Sequence, residues 1–239
     1  MNKMKVGITI TSHRSKEIRP NGGELLDGFF ESFRKSNFQY DYCIYVSDNA
    51  STLSYNYPTD LNLKVINIED QSINGLTGAW NLGIDTAYND GCDIIWNFND
   101  DLELNSSINT FIKHIILTPD FPFGIYGPLS NEGGVEAPNN SPGPKEGIRK
   151  LRVTPGSMFE VPNGFSFALT KEVYETFRFK QNEFFPLSHA MDGRDGKWGG
   201  QEGYFSLISN NKISFYLINE CWIKHYKFKA WEQARDLYR

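Results

Sequence analysis

The stretch Cys92-Asp93-Ile94-Ile95-Trp96-Asn97-Phe98-Asn99-Asp100-Asp101-Leu102-Glu103-Leu104 decides how this chain is read. Ile94 to Phe98 is a short apolar run that reads as a buried strand. It ends in adjacent carboxylates, Asp100 and Asp101. Two carboxylates at the carboxyl end of a buried strand repel each other, and partial burial adds to the cost of ionising both. A cation relieves both costs. Hard divalent ions such as Mg2+ or Mn2+ suit one or two carboxylates, with substrate phosphates completing the shell. The competing reading is a solvated turn in which Asp100 or Asp101 caps the next helix.

Upstream of this stretch, strands and helices alternate. Val6 to Ile10 is β-prone and ends in the polar, basic cluster Thr11-Ser12-His13-Arg14. Such a cluster either faces a ligand, as in many α/β proteins, or is an ordinary surface loop. Pro20-Asn21-Gly22-Gly23 marks a turn. Leu25, Leu26, Phe29, Phe30 and Phe33 then recur at helical spacing. Tyr42 to Val46 is a second strand, followed by the small polar run Ser47 to Thr52, and Leu63 to Ile68 is a third. Asn74-Gly75 turns into a helix bearing Leu76, Trp80, Ile84 and Ala87 on one face, which ends at Asn89-Asp90-Gly91. Past the carboxylates, Asn105-Ser106-Ser107 can cap a helix striped by Ile108, Phe111, Ile112, Ile115 and Ile116.

This alternation predicts an α/β fold with a mainly parallel, Rossmann-like central sheet flanked by helices. Ligands of such sheets bind outside the carboxyl ends of the strands. Thr11 to Arg14, Asp48 and Asp100-Asp101 all fall at predicted strand carboxyl ends. No Gly-rich phosphate cradle follows the first strand, which counts against an ordinary dinucleotide or P-loop protein.

The second half differs in character. Pro128 to Pro155 is rich in Gly, Pro, Asn and charge, and reads as a lid or a disordered segment. Gly164 to Leu169 is a strand, and Thr170 can cap a short helix containing Val173, Tyr174 and Phe177. Trp198-Gly199-Gly200-Gln201-Glu202 opens a further helix with Tyr204, Phe205 and Ile208. Glu202 sits in its first turn, where the helix dipole alone would favour a carboxylate. Ile213 to Ile218 and Trp222 to Tyr226 read as two more strands.

Composition narrows the class. The 239 residues are 39% hydrophobic and 15% aromatic, enough for one substantial core. A net charge of −5 argues against a protein that wraps nucleic acid. The cysteines, Cys43, Cys92 and Cys221, show no metal spacing and fit buried thiols in a reducing compartment. No signal peptide or membrane span is visible, so a cytoplasmic, soluble protein is expected.

Several motifs, in order, resemble the nucleotide-sugar glycosyltransferases of the GT-A fold, closest to the large inverting family that includes bacterial rhamnosyltransferases. They are Val46 to Thr52, Gly78 to Ile84, Phe98-Asn99-Asp100-Asp101 at the family's DXD-like position, Asn163 to Leu169, Trp198 to Glu202, and His225. The resemblance implies a single domain over 1–239. Residues 1–127 would form a nucleotide-sugar-binding half. Residues 128–239 would form a smaller acceptor-side half with a flexible 128–160 loop.

The resemblance also implies residue roles. Asp48 contacts the nucleotide base, Asp101 and His225 ligate Mn2+ or Mg2+, and Glu202 is the general base. Thr11, Ser12, Arg14, Asn81, Asn99 and Asp100 complete the donor site. His225 has a competing reading as a histidine packed in an aromatic strand. Asn99 stands where the family has an Asp, Trp80 where it often has an Arg, and Gln201-Glu202 where it has Glu-Asp. The implied partners are a nucleoside-diphosphate sugar, with a UDP-sugar favoured, and a glycan or other hydroxyl acceptor; nucleic acid is not expected. A metal would neutralise the departing diphosphate, helped by Lys and Arg of the C-terminal segment, and a carboxylate would deprotonate the acceptor. Two other classes are carried beside this one: a sugar-phosphate nucleotidyltransferase, and a catalytically inactive GT-A domain that binds a glycan or a partner.

Overall fold

A computed structural model describes residues 4–131, 138–154, 160–187, 201–209 and 213–226, leaving aside the side chains of 71–74 and 201. The first half alternates as its periodicity predicts: β1 (Lys5–Ser12), α1 (Gly22–Ser36), β2 (Asp41–Asn49), β3 (Leu63–Ile68), α2 (Gln71–Asn89), β4 (Ile94–Asn99), β5 (Leu102–Glu103) and α3 (Ser107–Leu117). Then follow β6 (Gly124–Ser130), β7 (Ile148–Lys150), β8 (Ser166–Thr170), α4 (Lys171–Phe177), α5 (Gln201–Ile208) and β9 (Ser214–His225).

The strands form one sheet in the order β3-β2-β1-β4-β8-β6-β9-β5, with β7 also on β9. β1 pairs in parallel with β2 and β4, and β2 with β3. β8 enters antiparallel between β4 and β6, and β9 returns parallel to β6. The sheet is therefore parallel on the side that carries Asp48 and mixed on the side that carries His225.

Period-2 alternation distributes the apolar side chains to two faces. Val6, Ile8, Ile10, Ile94, Trp96 and Phe98 pack with α1 and α3. Cys43, Tyr45, Ile95 and Phe167 pack with α2, α4 and α5 on the other face. Trp96 stacks on Phe111 of α3, with centroids 4.0 Å apart and planes 15° from parallel. Truncating Phe111 to Ala would cost about 3–5 kcal/mol.

Local signals end the helices as expected. Thr170 accepts the Val173 N–H at 3.2 Å and caps α4. Asn105 Oδ1 accepts the Ser107 N–H at 2.9 Å at the start of α3. Gly75 interrupts α2 at φ 57°, and Gly91 follows it at φ 76°, a left-handed conformation that favours glycine.

Three features of the second half depart from the sequence reading. β6 has no counterpart among the strands that the sequence pattern predicts. Within 128–160, read as lid or disorder, β7 pairs with β9, and Ser130 exchanges backbone hydrogen bonds with Asn139 and Ser141. The two strands expected between Ile213 and Tyr226 are one strand. Its register on β6 shifts between Pro128 and Leu129, where the partner changes from Ile218 to Trp222. Asn219, inside the shift, satisfies its backbone elsewhere: its C=O accepts from Lys145 N at 2.9 Å and its N–H donates to Gly147 O at 3.0 Å. Among the described residues no helix is long and apolar enough to cross a membrane.

Candidate active site

β4 delivers Asp100 and Asp101 at its carboxyl end, where they are 1% and 5% exposed. The register pairs Thr11 of β1 with Asn99, so the loop leaving β1 runs beside the loop leaving β4. From that loop Arg19 places Nη2 2.6 Å from Asp100 Oδ1 and 3.9 Å from Asp101 Oδ2. Burial pushes the Asp100 carboxyl up to about 6, with Arg19 opposing the rise and Asp101 adding to it.

His225, at the end of β9, pairs with Leu102 of β5 and brings Nε2 to 3.3 Å from Asp101 Oδ1. Its backbone is fixed twice by Asn131, whose Oδ1 accepts the His225 N–H at 2.8 Å and whose Nδ2 donates to the His225 C=O at 3.1 Å. Phe165 stacks on the imidazole at 5.0 Å and 23°.

The donor set can be tested against a divalent ion. Two ligands at right angles on an octahedral ion, with bonds of about 2.1 Å, lie about 3 Å apart. Asp101 Oδ1 and His225 Nε2 match that spacing and offer one carboxylate and one imidazole, a set that suits Mn2+. Among the described residues no group of three or more His, Cys, Asp and Glu side chains gathers as a cation cage. Among the described residues Asp101 and His225 are thus a candidate pair of ligands, and phosphate oxygens or water would supply the rest.

Asp48 lies at the end of β2, beside Ser12 in the register. Its Oδ2 receives Arg14 Nη2 at 2.5 Å and the Tyr57 hydroxyl at 3.0 Å. Its Oδ1 is buried with no hydrogen-bond partner among the described residues. A buried carboxylate oxygen without a donor is costly, so this atom points to a ligand N–H or O–H.

Arg14 is expected among the donor ligands. Its side chain is instead built into the wall. It is 3% exposed, donates through Nη1 to Ser12 Oγ at 3.3 Å and through Nε to Leu53 O at 3.3 Å, and lies 5.3 Å from the Tyr55 ring. Burial works against its charge, but the Asp48 hydrogen bond and charge outweigh it and hold the guanidinium above its ordinary value. Arg14 therefore aims Asp48.

Glu202 stands in the first turn of α5, and its Oε1 accepts the Gly164 N–H at 2.8 Å. Gly164 precedes Phe165, whose C=O accepts the Asn99 N–H at 2.9 Å and whose ring covers His225. One chain of contacts thus links Glu202 to Asp101. The Trp198-Gly199-Gly200 segment and the basic tail after Tyr226 lie outside the described residues.

The other expected donor residues divide. Thr11 and Ser12 are buried at the end of β1, and Asn99 is half-buried at the end of β4. Asn81 is placed elsewhere. Its Nδ2 donates to Phe185 O and its Oδ1 accepts from Phe185 N, both at 2.8 Å, so its carboxamide clamps a backbone segment. Trp80 is 3% exposed and packs against Phe167 and Phe185.

Sequence alone points to neither Arg19 nor Tyr57, and to Gly164 and Phe165 only within the Asn163 to Leu169 motif. Arg19 shares its exit loop with Arg14, and two adjacent acids call for a cation. Connecting the two required knowing that β1 neighbours β4.

This sheet with its flanking helices has the GT-A glycosyltransferase fold. No family model matches the chain, and no curated protein matches it. Solved structures do. S. aureus TarS 1–349 in complex with UDP-GlcNAc aligns with a TM-score of 0.59 at 13% identity, covering 96% of this chain and 61% of that one. Another structure of TarS 1–349 gives 0.57 at 13% identity, over 98% of this chain and 64% of that one. GalNAc-T7 with UDP, GalNAc and Mn2+ gives 0.58 at 12% identity, over 96% of this chain and 45% of that one. The chain therefore spans less than two thirds of the length of each. At these identities the likeness carries the fold.

Proposed function

We propose that this chain is a glycosyltransferase of the inverting, rhamnosyltransferase-like type, which moves a sugar from a UDP-sugar to a hydroxyl of a glycan or other acceptor. The observation that carries the reading is the contact chain from Glu202 through Gly164, Phe165 and His225 to Asp101. That chain of contacts supports reading Glu202 as the base and Asp101 with His225 as the cation pair of one site. The UDP-GlcNAc complex of TarS and the UDP, GalNAc and Mn2+ complex of GalNAc-T7 support the UDP-sugar donor in this reading.

Asp48 Oδ1 accepts the N–H of the nucleotide base, in line with its having no hydrogen-bond partner among the described residues. Asp101 and His225 would hold Mn2+ or Mg2+, which neutralises charge on a departing diphosphate when bound. Glu202 keeps Oε1 on the Gly164 N–H and offers Oε2 to the acceptor hydroxyl as general base. Attack from that side displaces the diphosphate in one step and inverts the anomeric carbon. The buried free thiols fit a cytoplasmic, reducing setting.

The deciding experiment is a UDP-sugar panel with UDP release as the readout, run with Mn2+ and with EDTA. Mn2+-enhanced release from at least one donor is expected, with an inverted product. Pyrophosphate release from a nucleoside triphosphate would point to a nucleotidyltransferase. UDP binding without release from any donor, across a range of acceptors, would point to an inactive binding domain.

A further inference from the structure

The two carboxylates that need a cation already have one from the chain itself. Arg19 Nη2 lies 2.6 Å from Asp100 Oδ1 and 3.9 Å from Asp101 Oδ2. Neither oxygen of Asp100 has an aligned hydrogen-bond partner among the described residues. Asp100 is thus balanced chiefly by the proximity of a charge, with the Ser12 hydroxyl as its polar neighbour. Arg19 Nε is buried and also lacks a partner among the described residues. A guanidinium carries five N–H donors in a planar fork, and this one is poorly used where it stands. Such a fork pairs best with a phosphate or carboxylate that presents two oxygens in its plane.

The backbone beneath Arg19 is anchored. Its N–H donates to Ser15 O at 3.0 Å, and its C=O accepts the Gly22 N–H at 3.0 Å just before α1. The side chain keeps 15% exposure. The head group can therefore turn while the loop that carries it stays in place. Arg19 and a divalent ion would compete for the same carboxylates, because like charges repel strongly where water is scarce.

We propose that Arg19 is an exchangeable counter-ion of the donor site. It neutralises Asp100 and Asp101 in the free protein and weakens the binding of a lone divalent cation. When nucleotide and cation enter together, its guanidinium transfers to the diphosphate. Cation and nucleotide then bind cooperatively, since each favours the state in which Arg19 has moved. The inference rests on the donor-site reading above.

The test compares wild type, Arg19→Gln and Arg19→Lys, each checked for folding by thermal melt. Mn2+ uptake without nucleotide is read by electron paramagnetic resonance, and UDP binding in Mn2+ by calorimetry. Arg19→Gln should take up Mn2+ alone about tenfold more tightly and bind UDP about tenfold more weakly, a coupling typical of linked sites. Arg19→Lys keeps the charge and loses the fork, so Mn2+ uptake should stay near wild type while UDP binding weakens. Mn2+ uptake by Arg19→Gln within twofold of wild type, or unchanged UDP binding in either variant, overturns the inference. If Arg19→Gln does not fold, the Arg19→Lys pattern decides alone. Wild type that binds neither Mn2+ nor UDP would overturn the donor-site reading itself, and this inference with it.

Discussion

Glu202 Oε1 accepts the backbone N–H of Gly164 at 2.8 Å, and a Cβ at Gly164 would lie 3.0 Å from that oxygen and 2.8 Å from Trp80 Cη2. The carboxylate is therefore aimed by the main chain of the segment that also supplies Phe165, and a side chain at 164 would displace it or Trp80. Glu202→Gln keeps the shape and the Gly164 contact and removes the basicity. Turnover should fall about 10²–10⁴-fold with UDP affinity and melting temperature nearly unchanged. Gly164→Ala should lower turnover as well, by moving an intact base. Steady-state rates beside calorimetric UDP titrations check both, and near-normal turnover in Glu202→Gln removes the base assignment.

Asp48 Oδ1 is buried with no hydrogen-bond partner among the described residues, while Arg14 and Tyr57 hold Oδ2. Asp48→Asn should raise the UDP dissociation constant by roughly 10–100-fold, the worth of a hydrogen bond to a charged group. Asp48→Ala should also lower stability, because it strips a buried arginine of its partner. Unchanged UDP affinity in Asp48→Asn would separate this residue from the base.

Removing the candidate metal ligands should act on cation response before anything else. Chelation should abolish most UDP release, and His225→Ala should shift the Mn2+ dependence to higher concentration. A rate that persists in EDTA, or an unaltered Mn2+ profile in His225→Ala, would leave His225 as a ring packed under Phe165.

Asp100 sets a pH dependence of defined sign. Its folded pKa is raised to about 6 from an ordinary 3.8, chiefly by burial. Its contribution to stability is fully present below the unfolded value and is lost as pH rises through about 6. In metal-free protein, the melting temperature of Asp100→Asn relative to wild type should therefore climb between pH 4 and pH 7. The change corresponds to a free energy on the order of 3 kcal/mol. A difference that stays flat over that range would show that Arg19 balances the charge completely.

Asn81 should behave as a structural residue. Asn81→Ala leaves the Phe185 N–H and C=O buried without partners, at about 1–3 kcal/mol each. A lower melting temperature with unchanged UDP affinity is the expected result; weakened UDP binding at full stability would return Asn81 to the donor site.

Local patterns in the sequence determined the elements of the first half and the chemistry available at their ends. The apolar run Ile94 to Phe98, the helical spacing of Phe29, Phe30 and Phe33, and the Thr170 cap are short-range signals, and each element formed where its signal lies. The same proximity along the chain put Asp48 and Asp100-Asp101 at strand carboxyl ends. Tertiary structure alone decided which residues meet. β6, β7 and the unbroken β9 depend on pairing with distant strands, which composition does not encode. Arg14 turned inward because Asp48, Tyr55 and Tyr57 surround it, and Asn81 was claimed by the backbone of Phe185. Arg19 reached Asp100 because β1 lies next to β4. Strand order is set by long-range packing, and a side chain's partner follows from strand order.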